Sequence, residues 1–244
     1  MKSVEKSNIY DKLPLIYEYL MKKIEYDVWA RYLNSIVQNK IKKDVKVLEL
    51  AAGNCTLAMN FTKYFPNIIA TDLSKNMLKS VVQNKTPKVC CEMTQLPFKN
   101  KFGLIYSTFD SLNYLTSKKK LLNLFKEVNG VLDRKGVFTF DVSLEKNSIN
   151  HSKVAERIGK FKNIKYKQSS KYNPQSKIHT NTFLIELPNG EIFKEIHKQK
   201  IFPFETYFEV IYKSGFTILE CYKAFTYSQG NKDSERVQFI LRKD

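Results

Sequence analysis

Residues 45–55 read VKVLELAAGNC, and a helical pattern follows them. Val45 to Leu50 is a run of β-branched and apolar residues that reads as a buried strand. Ala51-Ala52-Gly53-Asn54 breaks that pattern. Gly53 has no Cβ, so the backbone there can come close to a ligand, and the first N–H groups of the helix beyond have no partner within it. A second short strand, Ile68-Ile69-Ala70-Thr71-Asp72, ends in an acid. Strand, glycine-containing turn, helix, then an acid at the tip of the next strand is a layout for holding a nucleotide, because a carboxylate there can accept both ribose hydroxyls. Glu92 ends a third strand, Val89–Met93, and is placed to meet an adenine edge.

The same alternation continues in both directions. Ser74 is expected to cap a helix running to about Gln83. Phe102–Ser107 is a fourth strand, Lys118–Leu132 an amphipathic helix, Arg134-Lys135-Gly136 a turn, and Val137–Val142 a fifth strand. Five strand–helix alternations argue for a parallel, doubly wound sheet. Upstream, Ile9, Leu13, Ile16, Leu20, Ile24, Val28, Tyr32 and Ile36 recur at helical spacing, with Pro14 allowing a break. This reads as two helices covering a site. Downstream, Asn163–Lys171, Ile178–Leu187 and Ile192–Phe202 read as antiparallel strands, the last two joined by Pro188-Asn189-Gly190-Glu191. A helix near Phe204–Lys213 and the strands Phe216–Phe225 and Arg236–Arg242 complete the chain. The expected fold is α/β: a Rossmann-like, doubly wound, seven-stranded sheet with its last strand antiparallel, and a small antiparallel β-sheet inserted late. The expected division is a nucleotide-binding domain of residues 1–145 and 203–244, with 1–40 as a helical lid. Residues 146–202 are the inserted sheet, on the substrate side and available for dimerisation.

Composition narrows the class. The 244 residues are 43% hydrophobic and 27% charged, which excludes disorder, collagen-like repeats and coiled coil. No apolar run approaches the roughly 20 residues of a membrane span. MKSVEKSNIYDKLP has no apolar core, so it is not read as a secretory signal. Cys55, Cys90, Cys91 and Cys221 make no CxxC pair and His is scarce, so zinc spacing is absent and no metal is expected; sparse thiols suit a reducing cytoplasm. The net charge is +17. Such charge can attract nucleic acid, acidic membranes or anionic substrates. Arg occurs at only five positions, however, and Lys, Asn, Ile, Tyr and Phe are all plentiful, the mixture AT-rich coding produces without selection for binding.

A dinucleotide site needs G-x-G-x-x-G so that a pyrophosphate can pack on the turn. Ala51, Gly53 and Thr56 stand at those positions, so a cofactor without phosphates, such as S-adenosylmethionine (SAM), fits better. On these residues the chain resembles the class I SAM-dependent methyltransferases. VKVLELAAGNC resembles their vLDLGCGTG segment, TDLSKNML (71–78) their second motif, and CEMTQLPF (91–98) their GDMrdLPF. FGLIYSTFDSLNYL (102–115), VNGVLDRKGVFTFDV (128–142), the N-terminal YDKLPLIYEYLMKKIEYDVWARYL (10–33) and Glu195-x-His197-x-Gln199 resemble a small-molecule subgroup that includes glycine-type and amino-sugar N-methyltransferases. The resemblance spans nearly the whole chain. It implies that Glu49 and the turn through Ala51 and Gly53 hold the methionine end of SAM, that Asp72 binds ribose, that Leu73 and Met77 are further cofactor contacts, and that Glu92 and the Met93 backbone address adenine. The Phe109 backbone is expected beside the methionyl amino group, and Tyr17 over the cofactor. Ala51 and Cys55 replace two usual glycines, and Cys55 would crowd the turn if a positive φ is needed there.

Methyl transfer requires alignment and an unprotonated acceptor atom. Tyr17, Tyr114, His197 and Arg236 are the catalytic candidates, with Asp110 and Asn113 also on the acceptor side. His197 offers a base titrating near neutrality, and Arg236 could grip a carboxylate or phosphate bidentately. His151 and His179 are read as surface residues, Trp29 as core, and Cys90-Cys91 as packing on a buried strand. The expected activity is methyl transfer from SAM to an N or O of a small-molecule acceptor, with an anionic one suiting a basic pocket. The partners expected are that acceptor, not nucleic acid, no membrane, and either no second chain or one identical copy. Two alternatives are a nucleic-acid (RNA) methyltransferase and a non-catalytic SAM-binding protein. Amino-directed base methyltransferases carry Asn/Asp-Pro-Pro-Tyr after strand four, where this chain has Phe109-Asp110-Ser111-Leu112.

Overall fold

The structure is a computed structural model that describes residues 3–81, 83, 85–99, 101–154 and 156–243. In chain order the strands are β1 (Val4–Lys6), β2 (Val47–Leu50), β3 (Ile68–Asp72), β4 (Lys88–Cys90), β5 (Phe102–Ser107), β6 (Leu132–Ser143), β7 (Glu156–Phe161), β8 (Ile164–Asn173), β9 (Ile178–Glu186), β10 (Ile192–Lys200), β11 (Phe216–Lys223) and β12 (Arg236–Lys243). The helices are α1 (Pro14–Leu20), α2 (Tyr26–Val37), α3 (Thr56–Phe61), α4 (Lys75–Lys79), α5 (Lys118–Val131), α6 (Glu145–Ser152) and α7 (Phe204–Tyr212), with a 3₁₀ turn at Ser111–Tyr114.

Seven strands form the main sheet in the order β11-β12-β6-β5-β2-β3-β4. β12 runs antiparallel to both neighbours, while β6, β5, β2, β3 and β4 pair in parallel. The strand order reverses on either side of β2, which opens a crevice at the carboxyl ends of β2 and β5, where doubly wound sheets take their ligands. Both faces are covered. Leu48, Ile105, Phe138, Phe140 and Phe239 pack with α5 and α7 on one side, and Val47, Leu104, Tyr106 and Ile240 pack with α2 and α3 on the other. Successive strand residues thus serve opposite cores, as a period of two requires.

The second sheet runs β1-β10-β9-β8-β7. It takes its antiparallel strands from the segment read as an insertion, but β1 joins from the other end of the chain, parallel to β10. Leu13 and Ile16 from α1 and the residue before it pack on Ile164, Phe183 and Ile185 of this sheet. The N-terminal segment is therefore bound to the second sheet by both a strand and a helix.

Several local expectations change. Pro14 opens α1 instead of breaking a longer helix, since its missing N–H costs nothing in a first turn. Ser74 does cap α4, accepting from Met77 N, but the helix ends at Lys79; part of the expected extension to Gln83 lies outside the described residues. The expected turn at 134–136 is a bulge within β6: Phe102 pairs with Leu132 and Leu104 with Val137. Residues 146–200 contain the short helix α6, which no apolar period announces, and β7, whose burial pattern is nearly all exposed.

Candidate functional site

The loops at the carboxyl ends of β2, β3, β4 and β5 surround a cavity of about 1450 Å³, closed from the other side by the N-terminal segment, α1 and the faces of β9 and β10. Tyr17, Glu49, Ala51, Gly53, Asp72, Leu73, Met77, Glu92, Met93, Phe109, Asp110, Tyr114 and His197 all line it, so the structure brings together the sequence-expected site residues except Arg236 and Asn113.

The turn after β2 is built on left-handed backbone. Ala51 has φ 52°, Gly53 58° and Cys55 61°. A non-glycine residue in this region costs roughly 1–2 kcal/mol, so the two glycine replacements fall where that conformation is required. Cys55 is buried there and its turn is kept. A Cβ on Gly53 would lie 3.2 Å from Met77 Cε and 3.8 Å from the Tyr17 hydroxyl, so this position is the close-approach point of the turn.

Asp72 fastens that turn to the next strand. Its Oδ2 accepts from Gly53 N at 2.8 Å and its Oδ1 from Ser74 N at 2.7 Å. Burial raises its pKa, and these N–H groups only partly oppose the rise. Glu49 is 2% exposed, and its Oε2 has no hydrogen-bond partner among the described residues. Burial above all pushes its pKa up to about 8, helped by repulsion from Asp72 and eased by the Tyr106 hydroxyl. An uncompensated buried carboxyl on a cavity wall is a place for a cation. Phe109 and Asp110 carry two further left-handed conformations, φ 57° and 50°, at the tip of β5. Such strain clusters where a site must be shaped. Cavity size, glycine turn, strand-end acids and unpaired Glu49 oxygen all fit a nucleoside ligand with a cationic tail, which describes SAM.

The opposite wall is β10. Glu195, His197 and Gln199 alternate along it, share one face, and are all buried. The Glu195 carboxylate accepts from the N–H groups of Tyr10 (2.8 Å), Lys12 (2.6 Å) and Leu13 (3.0 Å), and lies 3.1 Å from His197 Nε2. Desolvation opposes its charge, but His197 and the two amides of Lys12 and Leu13 outweigh that and hold its pKa below the usual value. His197 Nδ1 is 3.3 Å from the Tyr114 hydroxyl, which is 2.8 Å from the Tyr10 hydroxyl. Burial raises the pKa of both tyrosines, so neither is a ready phenolate. Gln199 Nε2 donates to Asp110 Oδ2 at 2.6 Å.

Arg236 is a correction. Its guanidinium sits between Asp110 and Asp141, ion-paired to both, and lines a smaller adjoining cavity of about 230 Å³. Burial works against its charge, yet the two carboxylates prevail and raise its pKa. Its charge is already matched, so it is not poised to grip an acceptor anion. Asn113 likewise faces away from the large cavity, donating to the Ser143 and Lys200 carbonyls and accepting from Ser143 N, a tie between the two sheets. Trp29 is core, packed on Phe109 and Phe225. His179 is not a surface residue: it is 5% exposed and its Nε2 meets Ser170 Oγ at 2.8 Å. His151 is exposed. Cys90 is exposed and Cys91 half-buried, because the strand read as buried is an edge strand. The sequence reading missed Tyr10, Tyr26 and Phe183, which also line the cavity; Tyr10 could have been found from the tyrosine that opens the N-terminal motif.

Residues 47–136 match the family described as a methyltransferase domain. YqeM of Bacillus subtilis (strain 168), provisionally named a methyltransferase, is 28% identical, with 96% of this chain and 97% of that protein aligned. A SAM-dependent methyltransferase from Clostridium acetobutylicum ATCC 824 shares the fold with a TM-score of 0.78 at 23% identity, over 96% of this chain and 98% of that one. SAM-bound CalS10 from Micromonospora echinaspora, an amino pentose methyltransferase, does so with a TM-score of 0.72 at 13% identity, over 98% and 99%. No helix among the described residues is long and apolar enough to cross a membrane. The crevice at the strand tips and the match over residues 47–136 lead to one identification: the chain carries a methyltransferase domain.

Proposed function

We propose that the protein methylates an N or O atom of a small-molecule acceptor held between the strand tips of the main sheet and the inner face of β10. The observation that carries this reading is the shape of the site: one cavity has nucleotide-binding features on one wall and the His197–Tyr114–Tyr10 cluster on the other. Bound SAM supplies an electrophilic methyl group on a sulfonium. Asp72 holds the ribose, Glu49 and the turn through Gly53 hold the methionine end, Leu73 and Met77 pack beside the ribose, and Glu92 with the Met93 backbone takes adenine. Tyr17 lies over the cofactor and the Phe109 backbone meets its amino group. The N-terminal segment and α1, packed on the second sheet, exclude water from the acceptor. Lys22, Lys23, Lys120 and Lys198 also line the cavity and favour an acceptor carrying negative charge. Because one structural neighbour is an amino pentose methyltransferase, amine-bearing sugars and their nucleotide conjugates are the first acceptors to test.

Incubation with methyl-labelled SAM and separate pools of amino sugars, nucleotide sugars, amino acids and RNA tests this directly. Label is expected in a small-molecule pool. Label in RNA alone would replace this reading with the nucleic-acid one.

A further inference from the structure

The residues on the acceptor wall form a continuous chain of hydrogen bonds whose buried end is fixed. Glu195 and His197 are 0% and 1% exposed. The Glu195 carboxylate accepts only, so the 3.1 Å contact requires a proton on His197 Nε2. A neutral ring protonated there presents Nδ1 as an acceptor, and the group 3.3 Å from Nδ1 is the Tyr114 hydroxyl, which must then donate. Tyr114 oxygen in turn can accept from Tyr10, 2.8 Å away. With the ring neutral, the direction of every bond follows from the carboxylate, and Tyr10 oxygen is left with its lone pairs at the cavity.

We propose that Glu195–His197–Tyr114–Tyr10 is a proton relay in which Glu195 is the positioning residue and Tyr10 the hydroxyl that meets the acceptor. This rests on the methyltransferase reading above. As the acceptor N or O forms its bond to the methyl carbon, the carbon–sulfur bond breaks with its electron pair to sulfur. The acceptor proton passes to Tyr10 oxygen, the Tyr10 proton to Tyr114, and the Tyr114 proton to His197 Nδ1. The imidazolium so formed lies against the Glu195 carboxylate. The high pKa of both tyrosines suits this role, because each gives a proton only as it takes one. Ring packing holds the histidine in place: Tyr10 and Phe183 meet it edge-on with centroids 4.7 and 5.3 Å away.

The same carboxylate holds the lid segment. Its two oxygens take the N–H groups of Tyr10, Lys12 and Leu13 as well as His197, so the relay is complete only when residues 10–13 are seated on β10. A residue that merely clamped the lid would need none of the order found beyond His197.

The ring ¹⁵N spectrum of His197 in the whole protein without acceptor tests the bond order. The chain has three histidines, so a His197→Asn spectrum identifies its signals. The expected result in mildly alkaline buffer is a proton on Nε2 and none on Nδ1, a preference lost in Glu195→Gln. A proton on Nδ1 in the wild-type protein overturns the relay, since Tyr114 could not then donate. Once an acceptor is in hand, Tyr10→Phe is expected to lower kcat by roughly 10²-fold, in the range of positioned proton transfer, with the KM for SAM little changed. An unchanged kcat overturns the role of Tyr10. Failure to find any acceptor would count against the function proposed above, while the histidine spectrum would still decide the hydrogen-bond order.

Discussion

Glu49 shows at a single residue how this site differs from a merely buried pocket. Its pKa is pushed up to about 8, chiefly by burial, which favours the protonated carboxyl at neutral pH. In the ligand-free protein the folded state therefore keeps a proton that the unfolded chain has released between the ordinary carboxyl pKa and about 8. Glu49 thus makes stability fall as pH rises through that window. A cation beside it reverses the preference. SAM binding at pH 7 is expected to expel about one proton, read by calorimetry in buffers of different ionisation enthalpy, and Glu49→Gln is expected to remove that release. Equal binding heats in all buffers would mean that Glu49 does not meet the cationic end. In the sequence, Glu49 was marked as a cofactor contact only through the resemblance to a known family. Its raised pKa was not, because that depends on how completely α2, α3 and β5 enclose it. Arg236 shows the converse. Its type and position suggested an anion site, but Asp141, six strands earlier in chain order, already takes the charge.

At the scale of elements, the strands β2, β3 and β5 were legible because buried parallel strands are near-continuous apolar runs. β5 was found to the residue. It also depends on a glycine: a Cβ on Gly103 would stand 2.5 Å from Val45 Cβ and Cγ1. Gly103→Ala is expected to lower stability by about 1–3 kcal/mol, the usual cost of overpacking, in a denaturant titration; an unchanged midpoint would mean that residue 45 moves aside freely. β1, β7 and α6 were illegible for a physical reason. β1 and β7 are the edges of the second sheet, so they carry little apolar pattern, and α6 buries only Ser148 along its length. β10 was legible as a strand, and its period of two already placed Glu195, His197 and Gln199 on one face. What the sequence could not supply is the partner of that face, since the bonds to residues 10–13, 110 and 114 span 83 to 185 positions.

For the whole molecule, the central relation is between two sheets and one cavity. The main sheet brings acids and a strained turn to its carboxyl edge, and the second sheet, tied to residues 4–6 by β1, brings Phe183, His197 and Gln199 to face them. The doubly wound architecture followed from the strand–helix alternation, and the nucleotide-binding layout from Gly53, Asp72 and Glu92, whereas the joining of the N-terminal strand to the second sheet did not, because three exposed residues carry no signal of their own. The most direct test is calorimetric titration of the protein with SAM, S-adenosylhomocysteine and NAD, repeated with Asp72→Ala. Micromolar binding of the first two, none of NAD, and loss of binding in the variant are the results this account predicts. No binding of the SAM pair, or full affinity retained in Asp72→Ala, would contradict it.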